Sequence, residues 1–331
     1  MVRKVRLFLI RHGETVDNVA QVYAGSRDSA LTNHGFHQAT RLGLHFEALG
    51  LRFTHFFSSH LQRAAKTASL IRQAQLTTSD ASDVSKIPEV TQVPALMEQD
   101  FGFYEGKKFF ERQEPTRTTG KDAHRQSHKD QAGFVDVESK DSLAKRADAF
   151  LDAHLLPIFD DAVEPGDCVV AIVSHGIMLS TLWKRILLRL PPQSVTLSPE
   201  VVVKSPRFSL EHLGGWSNTG YLDLHMSKDT KDSDPTPSVV KRSVLRSSQS
   251  QSIDCSNEEQ KPIDTNAIEK QPNQAQTPSG PLSSGWVTLV QAIDAKDHLG
   301  GLKRTRGGIG SAKHDTSQKK LDGFFKRRKA E

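Results

Sequence analysis

A chain of 331 residues, 36% hydrophobic and 25% charged, has the apolar mass for one substantial core, alone or with unfolded extensions. Two cysteines, Cys168 and Cys255, exclude a disulfide framework and point to a reducing compartment. No stretch approaches the roughly 20 apolar residues of a membrane helix, and the short run Val5 to Ile10 passes straight into a polar motif, unlike a signal peptide. The formal charge of +5 is local: residues 303–331 hold ten Lys/Arg against three Asp/Glu, a surplus of seven that leaves the rest at −2.

In chain order, Val5-Arg-Leu-Phe-Leu-Ile10 reads as a strand covered on both faces. A helix follows around Gln38 to Leu49, then a second strand, Phe53-Thr-His-Phe-Phe57. Ser59 is placed to cap the next helix, whose Leu61, Ala64, Ala65 and Ala68 share one face. Residues 107–138 are charge-rich and without period, as in a loop or lid. Leu143 to Phe159 is helical, Cys168-Val-Val-Ala-Ile-Val173 is the clearest buried strand, and Ile177 to Arg189 is the helix after it. Strands alternating with helices predict an α/β three-layer sandwich with a mostly parallel central sheet. From Ser227 to Ser283, Ser, Gln, Pro, Asn, Asp and Lys dominate, too few apolar residues to fold. A strand pattern returns at Trp286 to Ile293, and Asp297-His-Leu299 fits a short helical turn.

Three strand-to-helix junctions carry similar residues. The first strand ends in Arg11-His12-Gly13-Glu14-Thr15 with Asn18 beyond, the second in Ser58-Ser59-His60-Leu61-Gln62-Arg63, and the Cys168 strand in Ser174-His175-Gly176. Ligands of open α/β sheets bind outside the carboxyl ends of the strands, so these junctions converge on two imidazoles and two guanidiniums. Helix N-termini add N–H donors and a dipole that favours an anion. That set suits a phosphoryl group: guanidinium forks match its oxygens, and a neutral imidazole attacks phosphorus and holds the group covalently. Glu98, in Leu96-Met-Glu98-Gln-Asp-Phe-Gly102-Phe-Tyr-Glu105-Gly106, is the candidate general acid. The scheme requires neither metal nor cofactor.

In these motifs, with Leu31-Thr32-x-x-Gly35-x-x-Gln38-Ala39 and Arg63-Ala64-x-x-Thr67-Ala68, the chain resembles the histidine phosphatase superfamily, the phosphoglycerate-mutase-like fold. The resemblance implies that His12 is the phosphorylated nucleophile and Glu98 the proton donor. Arg11, Arg63 and His175 then complete the phosphate pocket, with Asn18, Thr15 and Gly176 binding substrate. Phe53-Thr-His-x-Phe57-Ser-Ser59, Asn218-Thr219-Gly220 and His298-Leu299-x-Gly301-Leu302-x-x-Thr305-Arg306 resemble the TIGAR-like, fructose-2,6-bisphosphatase-like branch. Asp17 stands where mutases of this fold usually carry tryptophan, which favours phosphatase over mutase. The expected catalytic domain is then 1–226 plus 284–306, with 227–283 an insertion and 307–331 a basic disordered tail.

In that tail Gln318-x-x-Leu321-x-x-Phe324-Phe325 resembles the PIP box that docks on the sliding clamp PCNA. One helical turn places Leu321, Phe324 and Phe325 as an apolar plug, with Gln318 for a polar pocket. The flanking lysines and arginines favour an acidic partner surface or nuclear import. The expected location is cytoplasm and nucleus, with no direct nucleic-acid binding beyond non-specific tail contacts.

Overall fold

The structure, a computed structural model, describes residues 2–78, 87–108, 129–131, 133–160, 167–204, 209–229, 282, 285–306 and 308–315. The chain divides into one unit of residues 1–230 with 278–331 and another of 231–277, which lies outside the described residues. The motif 318–325 and most of the predicted insertion also lie outside them.

Strands β1 (Val2–Arg11), β2 (His55–Ser58), β3 (Thr91–Gln92), β4 (Cys168–Ser174), β5 (Val195–Leu197), β6 (Tyr221–Asp229) and β7 (Trp286–Ala295) form one sheet. Its order is β3-β2-β4-β1-β6-β7-β5. Four of the six pairings are parallel, and β6 alone runs against its neighbours. The α/β sandwich with a mostly parallel sheet is therefore as the sequence indicated.

The sheet buries both faces because successive side chains of a strand point to opposite sides. Val5, Leu7 and Leu9 join the core under α4 (Lys140–Phe150) and α6 (Gly176–Arg189). Phe8 and Ile10 join the core under α2 (Asn33–Ala48) and α3 (Gln62–Thr78). Between α4 and α6 the chain continues through a π turn, Leu151–Leu155, and α5 (Leu156–Asp160). Two short helices, α1 (Val16–Ala20) and α7 (Pro199–Lys204), complete the set.

Helix α2 starts at Asn33, earlier than its apolar period suggests, because Thr32 caps it by accepting the N–H of Gly35. Ser59 does not cap α3. Its hydroxyl accepts the N–H of Leu61, while Asp28, from a distant loop, takes the N–H of Gln62 at 2.8 Å. Strand β6 runs to Asp229, three residues into the stretch assigned to the insertion. Residues 308–315 likewise differ from the expected disordered tail. Lys313 bridges Thr32, the Asn33 amide donates to the carbonyl of Ile309 at 2.8 Å, and His314 stacks on Phe36 with ring centroids 3.8 Å apart. Among the described residues no helix is long and apolar enough to cross a membrane.

His298, in the turn after β7, is buried, and its Nε2 lies 2.9 Å from the hydroxyl of Thr219. Burial, reinforced by His45, brings its pKa down to about 4 from an ordinary 6.5. The unfolded chain therefore binds a proton that the folded chain refuses, and stability falls as pH drops from 6.5 toward about 4. His298→Gln, which keeps a polar contact without titrating, is expected to flatten this loss. Thermal unfolding at pH 7 and pH 5 measures it. The wild-type Tm should drop by a few degrees more than the variant's, and equal drops would contradict the assignment.

Candidate active site

Register fixes the site before any side chain is considered. Arg11 at the end of β1 pairs with Ser174 at the end of β4, and Ser58 at the end of β2 pairs with Val173. The three junctions named from the sequence therefore meet at one end of the sheet. Glycine allows the close approach this needs: a Cβ on Gly13 would sit 2.6 Å from the carbonyl oxygen of Gly35.

His12 is 4% exposed and His175 is fully buried, with ring centroids 5.1 Å apart. Nδ1 of His12 lies 2.7 Å from the carbonyl oxygen of Gly13. A carbonyl only accepts, so Nδ1 carries the proton and Nε2 keeps its lone pair. Burial, then the guanidiniums of Arg63 and Arg11, hold the His12 pKa well below its ordinary value, so the ring is neutral.

His175 has the opposite tautomer. Nε of Arg63 donates to its Nδ1 at 3.1 Å, which places the ring proton on Nε2. Among the described residues that buried Nε2 has no hydrogen-bond partner, and neither has the buried Nε of Arg11. Two buried N–H donors without acceptors are costly in a folded protein. The His175 ring lies 5.1 Å from that of His12, and a ligand oxygen within reach of both donors would satisfy them. Burial lowers the pKa of Arg11, an effect opposed by Glu98 and Asp294. The other end of its guanidinium is tied by Nη1 to the carbonyl of Trp216.

Glu98 stands at the N-terminus of α6. Its carboxylate accepts the N–H groups of Ile177 at 3.0 Å, Met178 at 2.9 Å and Gln99 at 2.9 Å. A Cβ built on Gly176 would meet only Arg11 Nε at 3.9 Å and Glu98 Oε2 at 4.0 Å, so Gly176 faces the same space. The structure thus brings His12, His175, Arg11, Glu98 and Gly176 together.

Arg63 joins them, but most of its donors point elsewhere. It is 1% exposed and gives N–H groups to the carbonyls of Ala24, Gly25 and Arg27 as well as to His175. Four of its five N–H donors are occupied by protein. Thr15 and Asn18 cap each other reciprocally, the Thr15 hydroxyl accepting from Asn18 N and the Asn18 carbonyl from Thr15 N. Asn218 ties that pair to the nucleophile by donating to Asn18 Oδ1 and to the carbonyl of His12.

Several supporting residues escaped functional assignment in the sequence. Glu105 receives the N–H groups of Gly25, Ser26, Arg27 and Phe101, shaping the loop that Arg63 grips. Thr67 accepts the N–H of Gly13 at 3.0 Å. Arg304, in the basic stretch 303–331, forks onto the buried carboxylate of Glu14, the second residue after His12. Glu105 and Thr67 both lie inside the sequence motifs of the site, which is their one signal. Nothing in a basic run marks Arg304 for an ion pair with a residue nearly 300 positions earlier.

The family model of the histidine phosphatase superfamily, branch 1, matches residues 7–198. The chain belongs to that superfamily. A probable phosphoglycerate mutase of Proteus mirabilis is 32% identical to this histidine phosphatase over 186 residues, 55% of the chain and 75% of the relative. A broad-specificity phosphatase of Saccharomyces cerevisiae is 27% identical over 172 residues, 52% of the chain and 66% of that protein. Among solved structures, a mycobacterial glucosyl-3-phosphoglycerate phosphatase is 26% identical, with 67% of this chain and 91% of that one covered and a TM-score of 0.44. The matched segment ends before β6 and β7, yet the fold places β6 beside β1 and β7 beside β6.

Proposed function

We propose that this histidine phosphatase hydrolyses phosphate monoesters of a small metabolite through a phosphohistidine on His12. The observation that carries the reading is the complementary pair of tautomers. His12 offers a lone pair at Nε2, while His175 Nε2–H and Arg11 Nε–H are buried donors without partners among the described residues. Nε2 of His12 attacks phosphorus and the P–O bond to the alcohol breaks, with charge on the phosphoryl oxygens met by Arg11 and His175. Glu98, entering this step in its protonated form, gives its proton to the leaving oxygen and is left as the carboxylate. Water then attacks the phosphohistidine, Glu98 takes the water's proton, and the N–P bond breaks to release phosphate.

Phosphatase is preferred to mutase on Asp17. The residue is buried and pairs with Nε of Arg27 at 3.0 Å, so an ion pair occupies the position a mutase gives to tryptophan. The motif resemblance to the TIGAR-like branch makes fructose-2,6-bisphosphate the first substrate to try. Phosphate release by the full chain across sugar bisphosphates, phosphoglycerates and nucleotides tests the reading. Net release from at least one ester is expected. Interconversion of phosphoglycerates without release would overturn it in favour of a mutase.

A further inference from the structure

We infer that Arg146 and Glu138 form a clamp that positions the proton donor Glu98, making Arg146 a positioning residue for the first half of the reaction. The inference rests on the reading of Glu98 given above and concerns side chains that touch neither substrate nor nucleophile.

Glu98 lies in a segment without regular hydrogen bonding, after a single 3-10 turn, Pro94–Leu96. Such backbone drifts unless its carbonyls are held. Arg146, on α4, holds them. Nη1 donates to the carbonyls of Ala95 and Met97, both at 2.8 Å, and Nη2 donates to the carbonyl of Glu98 itself at 3.2 Å. The remaining donors grip Glu138: Nε to Oε1 at 2.8 Å and Nη2 to Oε2 at 2.7 Å. All five N–H donors of the guanidinium are therefore used, and none is left for a substrate.

Glu138 grips the same segment from the other side of Glu98. Its Oε2 accepts the N–H of Asp100 at 3.2 Å, its backbone N–H donates to the carbonyl of Asp100 at 2.8 Å, and its carbonyl accepts Nε2 of Gln99 at 2.7 Å. The Ser142 hydroxyl donates to the carboxylate at 2.9 Å. One planar ion pair thus fixes backbone before, at and after the proton donor. Bidentate geometry is what confers this directionality, and lysine cannot reproduce it. The other anchors of Glu98, the N–H groups of Gln99, Ile177 and Met178, hold its carboxylate but not its backbone. Without the clamp, the carboxyl group would keep its seat while losing its angle to the leaving oxygen.

The test uses the dependence on leaving group in the full chain. An alkoxide cannot depart without a proton, whereas 4-nitrophenolate can, so kcat/KM for the two esters separates proton donation from the rest of the chemistry. Arg146→Ala is expected to lower kcat/KM for a primary alkyl phosphate by about 30- to 100-fold, and for 4-nitrophenyl phosphate by less than about threefold. Glu98→Gln, with the same pattern and a larger gap, is the benchmark. Arg146→Lys and Glu138→Gln, milder changes that serve if Arg146→Ala does not fold, should show the pattern with a smaller gap. Equal losses on both esters in all three clamp variants, beside a discriminating Glu98→Gln, would overturn the clamp. Equal losses in Glu98→Gln would instead overturn the proton-donor reading, as would a wild type inactive on both esters.

Discussion

His12→Ala is expected to lower phosphate release by at least about 10⁴-fold, because nothing else in the site replaces the covalent step. The other imidazole cannot substitute, since its available nitrogen carries a proton and its second nitrogen is held by Arg63. The wild type, quenched in denaturant at alkaline pH after mixing with substrate, should carry an acid-labile phosphoryl group that the variant lacks. Little unfolding should accompany the loss, because among the described residues the side chain's one hydrogen bond is the local contact with Gly13. Burial and two arginines keep His12 neutral well below pH 6.5, so the acidic limb of kcat/KM should not appear near that value. A variant within tenfold of the wild type, or an acidic limb at 6.5 that moves with His12, would contradict the assignment.

The sequence made the centre of this site readable and left its frame hidden, for physical reasons. A fully buried apolar run that breaks into polar residues announces itself, as where Leu7-Phe-Leu-Ile10 gives way to Arg11-His12. Strand β6 did not. Its Asp223 interrupts the apolar run, and only the structure shows that it is buried against the fork of Arg6 at 3.1 and 2.7 Å. Tautomers are equally invisible in a sequence, since they depend on what each ring nitrogen meets. Gly13 and Arg63 give His12 and His175 opposite ones. The capping of α3 by Asp28 and the pairing of Glu14 with Arg304 are long-range contacts of the same kind. Chemistry written into one junction was legible; geometry borrowed from distant segments was not.

Arg63 and Arg11 look alike in the sequence and should separate sharply on mutation. Arg63→Ala removes the donors for three backbone carbonyls and for Nδ1 of His175, all in a place that is 1% exposed. Each orphaned acceptor costs about 1–3 kcal/mol, less what water recovers on entering the gap, so a net loss of about 3–5 kcal/mol is expected. Thermal unfolding would register this as a Tm lower by about 8–15 °C. Activity should fall as well, measured at a temperature where the variant is folded. His175 is then free to shift its proton to Nδ1, and the loop from Ala24 to Arg27 loses its anchor. A fall of about 10²–10³-fold follows if His175 Nε2–H is the donor to the phosphoryl oxygen. Among the described residues, Arg11→Ala breaks one hydrogen bond, with the carbonyl of Trp216, while removing an unpartnered N–H from the pocket. It should cost activity of similar size with a Tm loss of only a few degrees. Equal stability losses in the two variants would mean that Arg63 is not the strut its hydrogen bonds describe, and that both arginines serve the ligand alone.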